Sequence, residues 1–419
     1  MGRPSRGATA ELLRHRPFRN QFVANALSMV GSALTPVALA FGVLHLTGSA
    51  GQLGLVLAAY SVPQVVLMIV GGVWADRLPR QHVMITADAV RLFTQAGFGV
   101  LLVTGWSPLW AMMALQALCG SATAFFLPAS VGLVADTAPS DRVQEANALL
   151  SLTRNLTGTV GPIVAGGLVA VTGAGWALII DGITFGGSLI FLAKLRLPAR
   201  ETTPHSSDFR ADFVSGWREV SRRSWVWSTI LYCMVFNLAF SSYQVLGPAK
   251  FAGESGGAMA WGVMVAGLGI GQLAGNSMAL MWKPDKPLLA GRLIMLGGAP
   301  VFFLMGSGAP FWLTLAASII CGTSISFPDT LWDAALQRHI DGAALSRVSS
   351  FDFLGSFLLR PVGFGLSAAA ASWFGADSTL IVSAAVVVVA TLVSLTDSSV
   401  RRLGREPVED SAGVLVQKQ

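Results

Sequence analysis

The chain has 419 residues, 53% of them hydrophobic and 12% charged, with a formal net charge of +6 and a mean hydropathy of +0.62. Soluble domains carry roughly 25% charged residues, about twice this share, so water is excluded as its main solvent. The basic residues fall in short segments between apolar runs and on no single face, which argues against nucleic acid as a partner and makes them topology signals.

Residues 1–19 are polar and basic, with Arg3, Arg6, Arg14, Arg16 and Arg19 ahead of the first apolar run. That run, 22–46, is too long for a signal-peptide core and leads through Thr47-Gly48-Ser49-Ala50-Gly51 into another, so it is expected to stay as helix 1. About 20 apolar residues at roughly 1.5 Å each cover the hydrocarbon core of a bilayer. The second run, 53–73, is that long and ends in Gly71-Gly72-Val73-Trp74-Ala75-Asp76-Arg77-Leu78-Pro79-Arg80, a cluster of charge and turn residues expected at a membrane face.

Further spans are predicted at 83–103, 109–134, 149–171 and 176–195, each bounded by Gly, Pro or charge. Residues 196–224 turn polar and hold no run long enough to span. Six more spans follow, at 225–246, 261–281, 288–305, 311–331, 348–371 and 380–395. The expected fold class is an all-α membrane protein of twelve transmembrane helices in two six-helix halves. Its divisions are a tail 1–19, a half 20–195, a linker 196–224, a half 225–397 and a tail 398–419.

With the N-terminus inside, nearly all loop Lys and Arg fall on one side, among them Arg77, Arg80, Arg142, Lys283, Lys286, Arg338 and Arg401, and Lys250 is the exception. That asymmetry predicts both termini in the cytoplasm. Asp141-Arg142-Val143 before the fifth span echoes Ser346-Arg347-Val348 before the eleventh, each after a Phe-Pro region, Phe126-Leu127-Pro128 and Phe327-Pro328, as a duplicated half requires.

Enzyme and cofactor signals are lacking. The sequence holds no phosphate loop, His-Glu-x-x-His motif or nucleophile elbow. Gly267-Leu268-Gly269-Ile270-Gly271 lies inside a span with no strand before it and reads as helix packing. Cys119, Cys233 and Cys321 each lie in an apolar run and read as small buried hydrophobes, and the histidines, such as His15, His45 and His82, form no metal set.

The cluster Gly72, Ala75, Asp76, Arg77, Arg80 has the form Gly-x-x-Ala-Asp-Arg-x-x-Arg and resembles the signature loop between helices 2 and 3 of the major facilitator superfamily, departing from it at Pro79 and Gln81. The likeness is strongest to the branch of macrolide and enterobactin exporters. It extends through Leu27-Ser28-Met29-Val30-Gly31-Ser32, Leu46-Thr47-Gly48-Ser49-Ala50 and 147–156, and more loosely through the second half. Gly161-Pro162-Ile163-Val164-Ala165-Gly166-Gly167 is similar to the antiporter signature of helix 5, although small residues and a Pro also make a plain packing face and kink.

The resemblance implies a secondary transporter working by alternating access. It implies export of an amphipathic small molecule such as an antibiotic, siderophore or other secondary metabolite, with protons as coupling ion, and a monomer in the lipid bilayer without cofactor. An importer, or a transport-dead receptor or scaffold, stays open at this point. Gly72, Asp76, Arg77, Arg80, Gly161 and Pro162 are the implied gating residues, with the Asp76 carboxylate expected near the start of helix 11 at Ser346. Two departures stand out: helix 4 carries no Lys or Arg, and helix 1 has Ser32 where many relatives place an acid. Proton coupling must then use other groups.

Ionisable residues inside spans point to function, because each costs roughly 2.5–3.5 kcal/mol at mid-membrane and must face protein or water. Asp88 and Arg91 lie three apart on helix 3 and can neutralise each other. Arg154, Asp181, Asp352 and Arg360 are the others, with a backbone carbonyl freed by Pro361 as the expected partner of Arg360. Polar candidates for the cargo path are Asn25, Ser28, Gln64, Gln116, Asn155 and Asn237. Arg154 is the first choice for cargo, because a permanent cation needs an anion, whether Asp181, Asp352 or an acidic group of the cargo.

Overall fold

The computed structural model describes residues 11–106, 108–196, 209–254 and 256–404, with side chains for all of these except 69–77, 209–213, 342, 343 and 346. Among the described residues there is no strand, and twelve helices are long and apolar enough to cross a membrane. They are span 1 (Arg16–Thr47), span 2 (Ala50–Arg77), span 3 (Arg80–Thr104), span 4 (Leu109–Thr137), span 5 (Val143–Thr172) and span 6 (Ala174–Ala193). A short helix, Phe209–Ser221, precedes span 7 (Ser224–Phe251), span 8 (Gly257–Met281), span 9 (Pro287–Gly306), span 10 (Phe311–His339), span 11 (Gly342–Phe357 and Arg360–Phe374) and span 12 (Ala376–Ser394). Two six-helix halves result.

Proline chemistry sets where spans break. Span 9 tightens into a 3-10 turn at Leu296–Gly298 just ahead of Pro300, and span 11 is interrupted at Leu358 and Leu359 ahead of Pro361. Each Pro lacks the N–H that would bond four residues back, and its ring crowds that carbonyl. The second break places Arg360 at the start of a new helical segment. The signature stretch is less of a loop than its composition suggests. Helix persists through Arg77, and only Leu78 and Pro79 separate spans 2 and 3, so Gly72, Asp76 and Arg77 occupy the last turns of a helix. Nothing between Gly72 and Arg77 lacks a backbone donor, whereas Pro79 does.

The turns at one face share a device. The described residues with positive φ are Gly48, Gly105, Gly173, Gly256, Gly308 and Gly375, one in each turn joining an odd span to the next even one. Gly173 (φ 86°, ψ 158°) and Gly375 (φ 85°, ψ 155°) join spans 5–6 and 11–12 with nearly the same backbone. That region is open essentially to glycine alone, and its recurrence is a conformational trace of the repeated half. Exposed Trp106, Trp110, Trp176, Trp312 and Trp373 crowd the same face, as aromatic residues do at a membrane interface. Lys250, the basic residue out of place in the loop pattern, sits here too, donating to the Met305 carbonyl at 2.7 Å and pairing with Asp377.

At this glycine-turn end the halves are sealed together. A Cβ on Gly166 of span 5 would lie 2.6 Å from the Ala258 oxygen and 2.8 Å from the Met259 Cα of span 8, and one on Gly54 of span 2 would lie 2.7 Å from the Phe364 oxygen of span 11. Small residues allow this backbone approach. The span 5–8 seam runs to Thr159 against Gly269. One turn further on, Arg154, Asn155 and Leu156 are exposed, and the halves part toward the opposite end.

Candidate functional site

The first half carries a buried polar network behind its cavity wall. Asp88 and Arg91, one turn apart on span 3, pair at 3.1 Å and are both buried. The Arg91 guanidinium also donates to Ser28 at 3.0 Å and Ser32 at 2.5 Å of span 1, while Ser188 of span 6 donates to Asp88 at 2.6 Å. It lies 3.9 Å from the centre of the Phe185 ring. Asp181 of span 6 is held apart from this pair: Thr35 donates to it at 2.5 Å and Gln95 at 2.9 Å, and Gln116 donates on to Gln95 at 3.2 Å. Membrane-buried charge is tolerated here because each carboxylate is met by donors, although both bonds to Asp181 go to Oδ2 and its Oδ1, like Arg91 Nε, has no hydrogen-bond partner among the described residues.

Between the halves lies a cavity of about 300 Å³. Span 3 contributes Arg91, span 11 contributes Arg360, and Gln64, Gln116, Gln244 and Tyr60 line it among rings from both halves, including Phe185, Phe240, Tyr243 and Trp261. Arg360 donates to Gln244 Oε1 at 3.1 Å and lies 5.7 and 5.8 Å from the Phe364 and Phe357 rings. The carbonyl partner expected from Pro361 does not hold this guanidinium. It is the Arg360 carbonyl that is bonded, by Ser241 at 3.2 Å.

A second cavity, about 590 Å³, lies within the C-terminal half and shares Phe240, Leu268 and Arg360 with the first. Its wall holds three carboxylates, Asp329 and Asp333 of span 10 and Asp352 of span 11, with Asn237 and Arg292. Trp332 donates to Asp352 at 2.8 Å, and Ser356 donates to the same carboxylate at 3.3 Å. Asp329 and Asp333 sit four apart on one face of span 10, open to the cavity. Arg292 of span 9 is buried, its guanidinium 4.3 Å from the Tyr232 ring and 3.3 Å from the Met295 sulfur, with Nε and Nη2 unpaired. Sequence reasoning missed Asp329, Asp333 and Arg292, although the i, i+4 acids within an apolar helix were a readable signal.

Two half-bundles meeting at a cavity that is sealed at one end and open at the other is the geometry of a carrier. A family-wide profile described as Major Facilitator Superfamily matches residues 21–363. The chain belongs to the major facilitator superfamily. Curated relatives in it include the enterobactin exporter EntS of Shigella boydii, 27% identical over 386 residues, covering 87% of this chain and 90% of that one. EntS of Citrobacter koseri is 27% identical over 422 residues, covering 96% and 97%. Among solved structures, the nucleoside transporter NupG superposes with a TM-score of 0.71 at 13% identity, covering 92% of this chain and 99% of that one. A bacterial homologue of the human lysosomal transporter Spinster, in an inward-facing and unoccupied conformation, gives 0.68 at 16% identity, covering 92% and 96%. The protein is thus a multi-pass cell-membrane transporter with a small-molecule substrate.

Within this major facilitator fold, the residues chosen from sequence separate clearly. Gln64, Gln116, Arg91 and Arg360 meet in the central cavity, Asn237, Asp352 and Arg360 in the C-terminal one. Asn25 and Ser28 are buried within span 1, lining neither, and Asp88 and Asp181 stand behind the wall. Arg154 and Asn155 are exposed and line neither cavity, and no carboxylate lies within 4 Å of Arg154 among the described residues. Its expected partners are engaged elsewhere, Asp181 by Thr35 and Gln95, Asp352 by Trp332 and Ser356.

Of the residues expected to gate, Arg80 donates to the Gly132 carbonyl at 2.7 Å and pairs with Asp136 at 3.3 Å, tying spans 3 and 4. Pro162 is buried with its carbonyl against Gly262, and a Cβ on Gly161 would collide with Ala33 of span 1, so the motif lies in the seam. The side chains of Gly72, Asp76 and Arg77, and that of Ser346, lie outside the described residues, and with them the expected contact of Asp76.

Proposed function

We propose that the protein is a proton-coupled exporter of an amphipathic small molecule, working by alternating access as a monomer with both termini in the cytoplasm. The observation that carries this reading is the cavity between the halves, sealed at the glycine-turn end and parted at the end where Arg80, Arg142 and Arg338 lie. With the basic loops in the cytoplasm, this is a conformation that loads cargo from inside. The EntS relatives, named as exporters, support the outward direction. One chain contributes both walls of the cavity, which supports a monomer.

Asp329, Asp333 and Asp352 are the groups for proton exchange. They face the open C-terminal cavity, whereas Asp88 and Asp181 are held by donors behind the wall. Without a basic residue on span 4, they supply the titratable charge that the cycle needs.

The test uses proteoliposomes loaded with a pH-sensitive dye and challenged with a panel of amphipathic compounds. Compounds that drive proton movement in the wild type should fail to do so when Asp329, Asp333 and Asp352 are all changed to Asn, while exchange of labelled compound across the membrane continues. Proton movement unchanged in the triple variant would refute the coupling assignment, and uptake rather than extrusion in cells would refute the direction.

A further inference from the structure

Arg91 and Arg360 reach the central cavity from opposite halves, and Tyr60 lines it with them. Their charges are met differently. Arg91 has Asp88 at 3.1 Å, whereas Arg360 has the neutral amide of Gln244 and two rings, with no carboxylate within 4 Å among the described residues. Among the described residues no Asp or Glu lines this cavity. A guanidinium cannot shed its proton to escape a membrane interior, so a charge placed there without a counter-ion favours any anion that arrives.

The remaining wall sets the rest of the ligand. Rings from both halves, Tyr60, Phe185, Phe240, Tyr243, Trp261 and Phe364, surround the two cations, with glutamine amides between them. Such rings bury flat apolar surface and stack on it. The volume of about 300 Å³ is at the lower end of small-molecule sites, roughly 300–1,000 Å³, and the cavity adjoins the larger one through Arg360. The acids Asp329, Asp333 and Asp352 belong to that neighbouring wall, which leaves the cationic end of the path on the side of Arg91.

We infer that the central cavity is a binding site for an organic anion bearing an aromatic ring, its acidic group received by Arg360 and Arg91 and its ring by the aromatic wall. This deepens the transport reading and rests on it for the word cargo, but the binding itself does not depend on direction or coupling. Among the described residues lining this site no carboxylate offers a cationic amphiphile a counter-ion.

The experiment is thermal stabilisation and equilibrium binding of the purified full-length protein with matched probes: 2-naphthoate, 2-naphthamide, 2-(aminomethyl)naphthalene and sulfate. Wild type should bind 2-naphthoate best. Arg360→Gln should weaken it about 10- to 100-fold, the loss of a charge-assisted contact, while leaving 2-naphthamide unchanged, and Arg360→Lys should restore part of the preference. Tighter binding of the amine, an effect of sulfate equal to that of 2-naphthoate, or an Arg360→Gln variant that still prefers 2-naphthoate would each overturn the inference. If Arg360→Gln does not fold, the probe series on the wild type and on Gln244→Ala decides alone. Binding that behaves as expected alongside failed extrusion would remove the exporter reading and leave this site standing.

Discussion

A methyl group added at Gly166 acts on one conformation only. Its carbon would sit 2.6 Å from the Ala258 oxygen and 2.8 Å from the Met259 Cα, both backbone atoms of span 8, where ordinary contact begins at 3.4 Å. Spans 5 and 8 would have to separate by about 0.8 Å, and overpacking of this kind costs about 1–3 kcal/mol. In the opposite conformation proposed for the transport cycle the seam is parted and the methyl is free, so the whole cost falls on the state sealed at the glycine-turn end. The ratio of the two states should shift by about 5- to 150-fold. Spin labels on Thr172 and Glu254, exposed on either side of the seam, read this as a distance distribution, in a background with Cys119, Cys233 and Cys321 replaced by Ala. Gly166→Ala should add a longer component, and Gly158→Ala, with nothing within 4 Å of its added carbon, should not. A folded Gly166→Ala protein with the wild-type distribution would refute the claim that this seam is a gate.

Replacing Gly173 or Gly375 by Ala should lower the melting temperature by the equivalent of about 1–3 kcal/mol, more than Gly105→Ala (φ 71°, ψ 0°), because the first two backbones lie outside even the left-handed helical region. Asp88→Asn strands the buried Arg91 charge and should cost about 3–5 kcal/mol of stability, read as lost monodisperse protein in size-exclusion chromatography, with partial recovery in Asp88→Asn/Arg91→Gln. Reporters fused after Arg19 and Arg210 should read cytoplasm and one after Gly175 should read outside; an outside signal at Arg210 overturns the orientation. Just past the helix Phe209–Ser221, Arg223 holds the Glu219 carboxyl of that helix below its ordinary range, so the pair's contribution is full at neutral pH and is lost as pH falls through that lowered value. The pair is partly exposed and is worth under about 1 kcal/mol, and carbon-13 titration of Glu219 should move upward in Arg223→Gln.

Hydropathy made the twelve spans legible, because a bilayer imposes length and apolarity on every one of them. It said little about where a charge faces. Arg154 and Arg360 look alike in sequence, each a lone cation in an apolar run, yet one is exposed on span 5 and the other opens a helical segment at the cavity wall. The difference comes from Pro361, which breaks the helix, whereas Pro128, Pro162 and Pro328 lie inside continuous helices. Asp333 escaped notice because span 10 was expected to end at residue 331 and runs on to His339. The Asp88–Arg91 pair was readable from spacing alone, but the serines of spans 1 and 6 that complete it were brought there by packing.

The six glycine turns also bear on how the chain enters a membrane. Spans 5 and 6 are joined by Gly173 alone and spans 11 and 12 by Gly375 alone, and the turn residues between spans 1 and 2 are Gly48 and Ser49. With the basic loops held on the side of synthesis, as proposed, these links carry almost no polar chain through the hydrocarbon. A pair of spans joined this way can insert as one hairpin, with the energetic burden of insertion set by its apolar walls rather than by its tip. The exceptions are Lys250, Glu254 and Asp377 around spans 7, 8 and 12. Mutual neutralisation of Lys250 and Asp377 has to wait until span 12 has crossed.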